Sequence, residues 1–133
     1  MTNGISNRPL SPHISIYKPQ ISSITSIFHR ITGFALYISL IGLIWLLAVM
    51  LYCSYSATNI DEMLRECTWL CYTFKACLVG VLFSTSYHFL NGIRHLAWDA
   101  GYGYNIKLAT CTGSIVIALS ILITAFLSYP YLF

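Results

Sequence analysis

Polar side chains gather at the ends and joints of this sequence, and long apolar runs fill the space between. Ile31 to Cys53 and Leu108 to Phe133 contain no charged residue, and Cys67 to Leu90 contains one, Lys75. A helix of a water-soluble bundle shows a polar face recurring every three to four residues, but here the flanks are polar and the middles are not. At about 1.5 Å per residue, each run is long enough to cross a hydrocarbon core about 30 Å thick as a helix. The pattern predicts an all-α integral membrane protein, a bundle of three transmembrane helices over about residues 24–53, 65–93 and 107–129. The membrane domain then occupies residues 23–133, behind an N-terminal arm over residues 1–22.

Composition strengthens this reading. Of 133 residues, 57% are hydrophobic and 8% are charged, against about 25% charged in soluble domains. A chain this short cannot hide so much apolar surface in water. Charge sets the orientation, because Lys and Arg collect on the side from which the chain is inserted. Arg8, Lys18 and Arg30 precede the first span, and Arg94 and Lys107 bracket the loop between the second and third. The stretch from Ser54 to Glu66 holds Asp61, Glu62 and Glu66 against Arg65 alone. The N-terminus and the second connection are therefore expected on the inner side, cytoplasm or mitochondrial matrix, and the C-terminus outside. The net charge of +3 is topological, not a nucleic-acid footprint.

Other chemistry is excluded by what the sequence lacks. The first thirty residues have no short apolar core with a small-residue cleavage site and no Arg-rich amphipathic helix, so no removable signal is expected there. Cys53, Cys67, Cys71, Cys77 and Cys111 form neither a CxxC pair nor a CxxCH haem-attachment site, and read as small apolar residues within helices. There is no internal repeat, phosphate-binding glycine loop or nucleophile beside a base.

What remains is a set of ionisable residues at one membrane face, where their cost makes a functional role the default. In HFLNGIRHLAWD, His88 to Asp99, His88 lies about 9 Å short of Arg94 along a helix. His88 and His95 share a face two turns apart, with Gly92 between them, where a glycine would let a flat bulky group or another helix approach the backbone closely. A neutral imidazole at His88 suits the iron of a b-type haem, with Arg94 and His95 placed for its propionates. With a single histidine at suitable depth, the second axial ligand would come from another chain. The alternative is that His88 hydrogen-bonds between helices and the other two are interface residues. In SIFHRITG, Ser26 to Gly33, Ser26 and Arg30 are i and i+4 on one helix face. A hydroxyl and a permanent cation there suit a quinone carbonyl and the negative charge that develops on its reduction. His29 suits either a propionate or a proton relay. The plainer alternative is that Arg30 snorkels to lipid phosphates and Ser26 caps a helix.

RPLSPHISIYK (Arg8 to Lys18), SIFHRITG and HFLNGIRHLAWD, in this order around the first two spans, resemble the large cytochrome b anchor subunits of succinate dehydrogenase, respiratory complex II. The likeness covers most of residues 8–104, and the third span carries no distinguishing motif. The resemblance implies a membrane subunit, not catalytic alone, that docks a flavoprotein subunit and an iron–sulfur subunit. It pairs with a small second anchor subunit around haem b and a ubiquinone site. It makes His88 an axial haem ligand, with the partner anchor giving the other, and places His29, Arg30, Arg94 and His95 near the propionates. Ser26 and Arg30 match its quinone residues. Arg8, Pro9, Ser11, Pro12 and His13 match the arm that lies against the iron–sulfur subunit, the prolines keeping it out of a regular helix. Nuclear-encoded members carry a presequence, and this chain begins seven residues before the first motif. That suits a mitochondrially encoded or a bacterial protein, so the mitochondrial and the bacterial inner membrane both stay open. A haem-binding or structural tether and a fumarate reductase anchor remain alternatives. Lys75 belongs to none of the motifs. It either marks a deeper start of the second span or snorkels outward.

Overall fold

The computed structural model describes residues 18–132, so the arm motif from Arg8 to His13 lies outside the described residues. Four helices follow in order: α1 (Ile21–Tyr52), α2 (Ala57–Glu66), α3 (Thr68–Asp99) and α4 (Ile106–Leu132). Among the described residues there is no strand. α1, α3 and α4 are each long and apolar enough to cross a membrane, and at 32, 32 and 27 residues they run about 40 to 48 Å. α1 and α3 extend beyond the apolar runs, so both SIFHRITG and HFLNGIRHLAWD are wholly helical.

Local chemistry explains the boundaries. Before α1, Ser23 Oγ accepts from the Gln20 backbone N–H at 3.2 Å, occupying a donor ahead of the first turn. α1 ends in a Schellman turn: the Tyr55 N–H bonds back to the Met50 carbonyl at 2.9 Å, with Ser54 at φ +54° in the place usually held by glycine. α3 ends the same way with the expected residue, Gly101 at φ +87°. The Tyr102 N–H reaches the Ala97 carbonyl at 2.9 Å. α2 is a correction to the sequence reading, which left the Ser54 to Glu66 stretch without an element. Asn59 Oδ1 accepts from the Ser56 N–H at 2.7 Å, and Arg65 pairs with Asp61 one turn away at 2.9 Å, so this polar stretch closes a short helix of its own.

α3 is the central helix, packed against both α4 and α1, which also meet each other. Its interior is small and polar: Thr25, Thr32, Ser84, Ser86, Asn91, Arg94, Ser120, Thr124 and Ser128 are buried, with Tyr87 and Val116. Several of these hydroxyls bond a carbonyl one turn back in their own helix. Ser120 reaches Val116 at 2.6 Å, Thr124 reaches Ser120 at 2.7 Å and Ser86 reaches Leu82 at 2.9 Å. Satisfied that way, a hydroxyl presents a small surface to the neighbouring helix, as membrane interfaces favour. The large apolar residues point outward, Ile44, Trp45, Leu122 and Phe126 among them. A bundle folded by water would invert that arrangement. Lys75 lies early in α3, and its ammonium donates to the Leu132 carbonyl at 3.4 Å, a cation at the negative end of α4.

Candidate functional site

At the end of the bundle that carries the α3–α4 turn, α1 from Thr25 to Gly33 lies against α3 from Tyr87 to Trp98. The geometry begins with His88. Its Nδ1 is 3.1 Å from the backbone carbonyl of His29 and 3.4 Å from the Thr32 hydroxyl. That hydroxyl also lies 2.8 Å from the Phe28 carbonyl and 3.0 Å from that of His29. A carbonyl only accepts, so Nδ1 carries the proton and the lone pair is left on Nε2. Orientation by a backbone carbonyl in this way is typical of histidines that ligate a metal.

The ring is held on its faces as well. The imidazoles of His29 and His88 stack with centroids 3.9 Å apart and planes 9° from parallel. A Cβ on Gly33 would stand 2.9 Å from His88 Cε1, closer than carbon atoms tolerate, so only glycine admits the ring in this position. The sequence reading gave the close-approach role to Gly92. A Cβ there would meet only His29 Cε1 at 3.9 Å, an ordinary contact. The missed signal is the spacing in HRITG, where Gly33 follows His29 by one turn and so lies on its face. His95 stands 5.0 Å from the His29 ring and meets the Trp98 edge at 5.1 Å. His29 Nδ1 is buried with no hydrogen-bond partner, a state that native proteins rarely leave uncompensated.

Ser26 and Arg30 share a face of α1 as their spacing requires, Ser26 half-buried and Arg30 exposed. Arg94 behaves otherwise. It is 6% exposed and turned into the bundle, where its guanidinium donates to Thr25 Oγ1 at 2.9 Å, Asn91 Oδ1 at 3.2 Å, Thr112 Oγ1 at 3.2 Å and the Ala109 carbonyl at 2.8 Å. It also stacks on Trp98 at 4.1 Å. Of five guanidinium N–H groups, these contacts occupy four. Tyr87 and Asn91, which the sequence reading passed over, both donate to the Thr25 carbonyl, at 2.9 and 3.4 Å. Their signal was available, as Asn91 and Tyr87 are polar groups in or beside the second span. Among the described residues, no three His, Cys, Asp or Glu side chains converge to hold a bare metal ion.

The sequence matches the family model described as succinate dehydrogenase/fumarate reductase transmembrane subunit over residues 5–127. Among curated proteins it is similar to the succinate dehydrogenase cytochrome b556 subunit of Rickettsia conorii, with 47% identity over 120 residues covering 90% of each chain. It is 40% identical over 120 residues to the cytochrome b560 subunit of Reclinomonas americana, covering 89% of this chain and 82% of that one. It is 42% identical over 125 residues to the mitochondrial cytochrome b560 subunit of Sus scrofa, covering 88% and 68%. With apolar spans, a paired-imidazole site at one end and likeness along nearly its whole length, the chain belongs to the family of succinate dehydrogenase/fumarate reductase transmembrane subunits.

Proposed function

We propose that this chain is the large cytochrome b anchor of a succinate:ubiquinone oxidoreductase, and that it binds haem b through His88 and ubiquinone through Ser26 and Arg30. The observation that carries the reading is the His88 Nδ1 contact with the His29 carbonyl at 3.1 Å, which reserves Nε2 for iron. A single oriented imidazole would suit an iron whose remaining in-built ligands arrive with the cofactor. Haem b, when bound, supplies a one-electron store beside the quinone. His29 cannot be the opposite axial ligand, because its ring lies face to face with His88, and two such rings do not point at one iron from opposite sides. On the family resemblance, the small anchor subunit would supply the second ligand. His29, with its buried orphan Nδ1, His95 and the exposed Arg30 are the groups offered to the propionates. Arg94 has one N–H to spare for that role and serves mainly the protein interior. Ser26 donates to a quinone carbonyl, and Arg30 stabilises the charge that builds there during reduction.

The succinate chemistry belongs to the flavoprotein and iron–sulfur subunits docked on the inner face, the latter against the arm at Arg8, Pro9, Ser11, Pro12 and His13. Affinity purification through a tag on this chain should recover both soluble subunits and a second small membrane protein, with succinate–ubiquinone activity. Recovery of this chain without succinate-oxidising activity would contradict the assignment. The inner membrane of a mitochondrion or a bacterium is the setting, with Arg30, Arg94 and Lys107 at the inner end and the α2 acids Asp61, Glu62 and Glu66 at the outer end. In sealed vesicles of a variant whose five cysteines are replaced by alanine, Tyr102→Cys should react with an impermeant maleimide from the inner side and Tyr55→Cys from the outer. The reverse labelling, or labelling of both from one side, would overturn the topology.

A further inference from the structure

The most heavily bonded side chain in the bundle is one that the quinone and haem assignments leave largely unused. Arg94 is buried in a protein whose described residues contain a single ion pair, Arg65 with Asp61 at the opposite end. Its permanent charge is thus met only by neutral oxygens and the face of Trp98. A buried, uncompensated guanidinium is expensive, and such a cost persists where it secures something. What it secures is visible in its partners: Thr25 on α1, Asn91 on its own helix, and Thr112 and Ala109 on α4.

Thr25 is the focus of this clasp. It is fully buried, its hydroxyl takes Arg94 NH1 and its carbonyl takes Tyr87 and Asn91. Gly113 lets α4 close over the same point, since a Cβ there would stand 3.0 Å from Ile21 Cγ2, 3.4 Å from Thr25 Cγ2 and 3.5 Å from Arg94 NH2. Trp98 is held in turn from the α3–α4 turn, where the Tyr104 hydroxyl donates to its carbonyl at 2.5 Å. The residue after Thr25 is Ser26, and one turn beyond lies His29, whose carbonyl orients His88. Three side chains of α3 therefore fix the rotation and height of α1 one residue before the serine that meets the quinone. Ser26 and Arg30 have no partner of their own among the described residues to hold them.

We infer that Arg94 is a positioning residue for quinone reduction, acting through Thr25 to fix where α1 presents Ser26 and Arg30. This rests on the reading of those two residues as the quinone contacts. A clasp serving stability alone would change assembly and leave the quinone constants as they are, whereas a positioning clasp changes the KM for quinone in a complex that is otherwise intact.

Thr25→Val is the informative variant: it keeps the shape and the carbonyl, removes the hydroxyl, and leaves Arg94 NH1 its bond to Asn91. In the whole assembled complex, it should raise the KM for a short-chain ubiquinone about five- to tenfold. Haem content and succinate oxidation by an acceptor that bypasses the membrane should be unchanged. Arg94→Lys, which keeps the charge but loses the fork, should show the same direction with a larger change, and Thr112→Val supplies the α4 arm if it fails to assemble. Because the effect passes through both Ser26 and Arg30, Thr25→Val should raise KM by a smaller factor in a Ser26→Ala background than in the wild type. A wild-type KM in both Thr25→Val and Thr112→Val would overturn the inference, and with Ser26→Ala still impaired the quinone reading itself would survive. An effect of Thr25→Val combined with silent Ser26→Ala and Arg30→Lys would also overturn it, placing the clasp's action elsewhere.

Discussion

Arg30→Leu is expected to lower succinate–ubiquinone activity about a hundredfold while succinate oxidation by a bypass acceptor stays near wild type. The size follows from what is removed, a charge-assisted hydrogen bond and an exposed cation beside the place where negative charge would develop on the ring. Loss of a single preorganised donor to a developing oxyanion costs about 10² to 10³ in rate. The variant is interpretable because Arg30 is exposed and its side chain bonds to none of the described residues, so their packing does not depend on it. Arg30→Lys should recover part of the loss, as it restores charge without the planar fork. Ser26→Ala removes one neutral hydrogen bond, about 0.5 to 1.5 kcal/mol net, and should cost roughly tenfold, 1.4 kcal/mol being a decade in rate. Its haem spectrum should be unaltered, whereas Arg30 variants should shift it slightly if Arg30 is also offered to the propionates as proposed.

His88→Leu should eliminate the low-spin haem signal altogether. Leucine has no lone pair for iron and no N–H for the His29 carbonyl, so it removes both the proposed ligand and the contact that orients it. Two milder variants bracket the effect. His95→Leu should retain six-coordinate haem with a modest shift, since that ring lies 5.0 Å from His29 and does not touch His88. Gly33→Ala should perturb the haem more than a single methyl ordinarily would. Its Cβ would fall 2.9 Å from His88 Cε1, and an imidazole held on its other sides by His29 and a carbonyl can relieve that contact only by tilting.

The three spans were legible because a membrane demands runs of a fixed length, a constraint so strong that hydropathy alone reveals it. α2 was not, because ten residues carry no such run. Only the apolar spacing of Ile60, Met63 and Leu64 and the Ser56–Asn59 pairing announced a helix in a polar stretch. Ser26, Arg30, His88 and His95 could be grouped by face because periodicity fixes faces within one helix. Contacts between helices follow from packing, which the sequence does not state. Arg94 illustrates the difference. It adjoins His95 in sequence and was grouped with it, yet neighbours on a helix point about 100° apart, so His95 faces the stacked imidazoles while Arg94 faces Thr25 and α4. Gly33 escapes a reading of the sequence for the same reason, since its close approach to His88 depends on how α1 lies against α3.

The most direct test of haem ligation is the reduced-minus-oxidised spectrum of the purified complex, recorded for wild type and His88→Leu at equal succinate-to-bypass-acceptor activity. A b-type α-band and a bis-histidine low-spin signal in the wild type, both gone from His88→Leu, are the predicted result. An unchanged six-coordinate spectrum in His88→Leu would contradict it, showing that the imidazole oriented by the His29 carbonyl is not the one that holds iron.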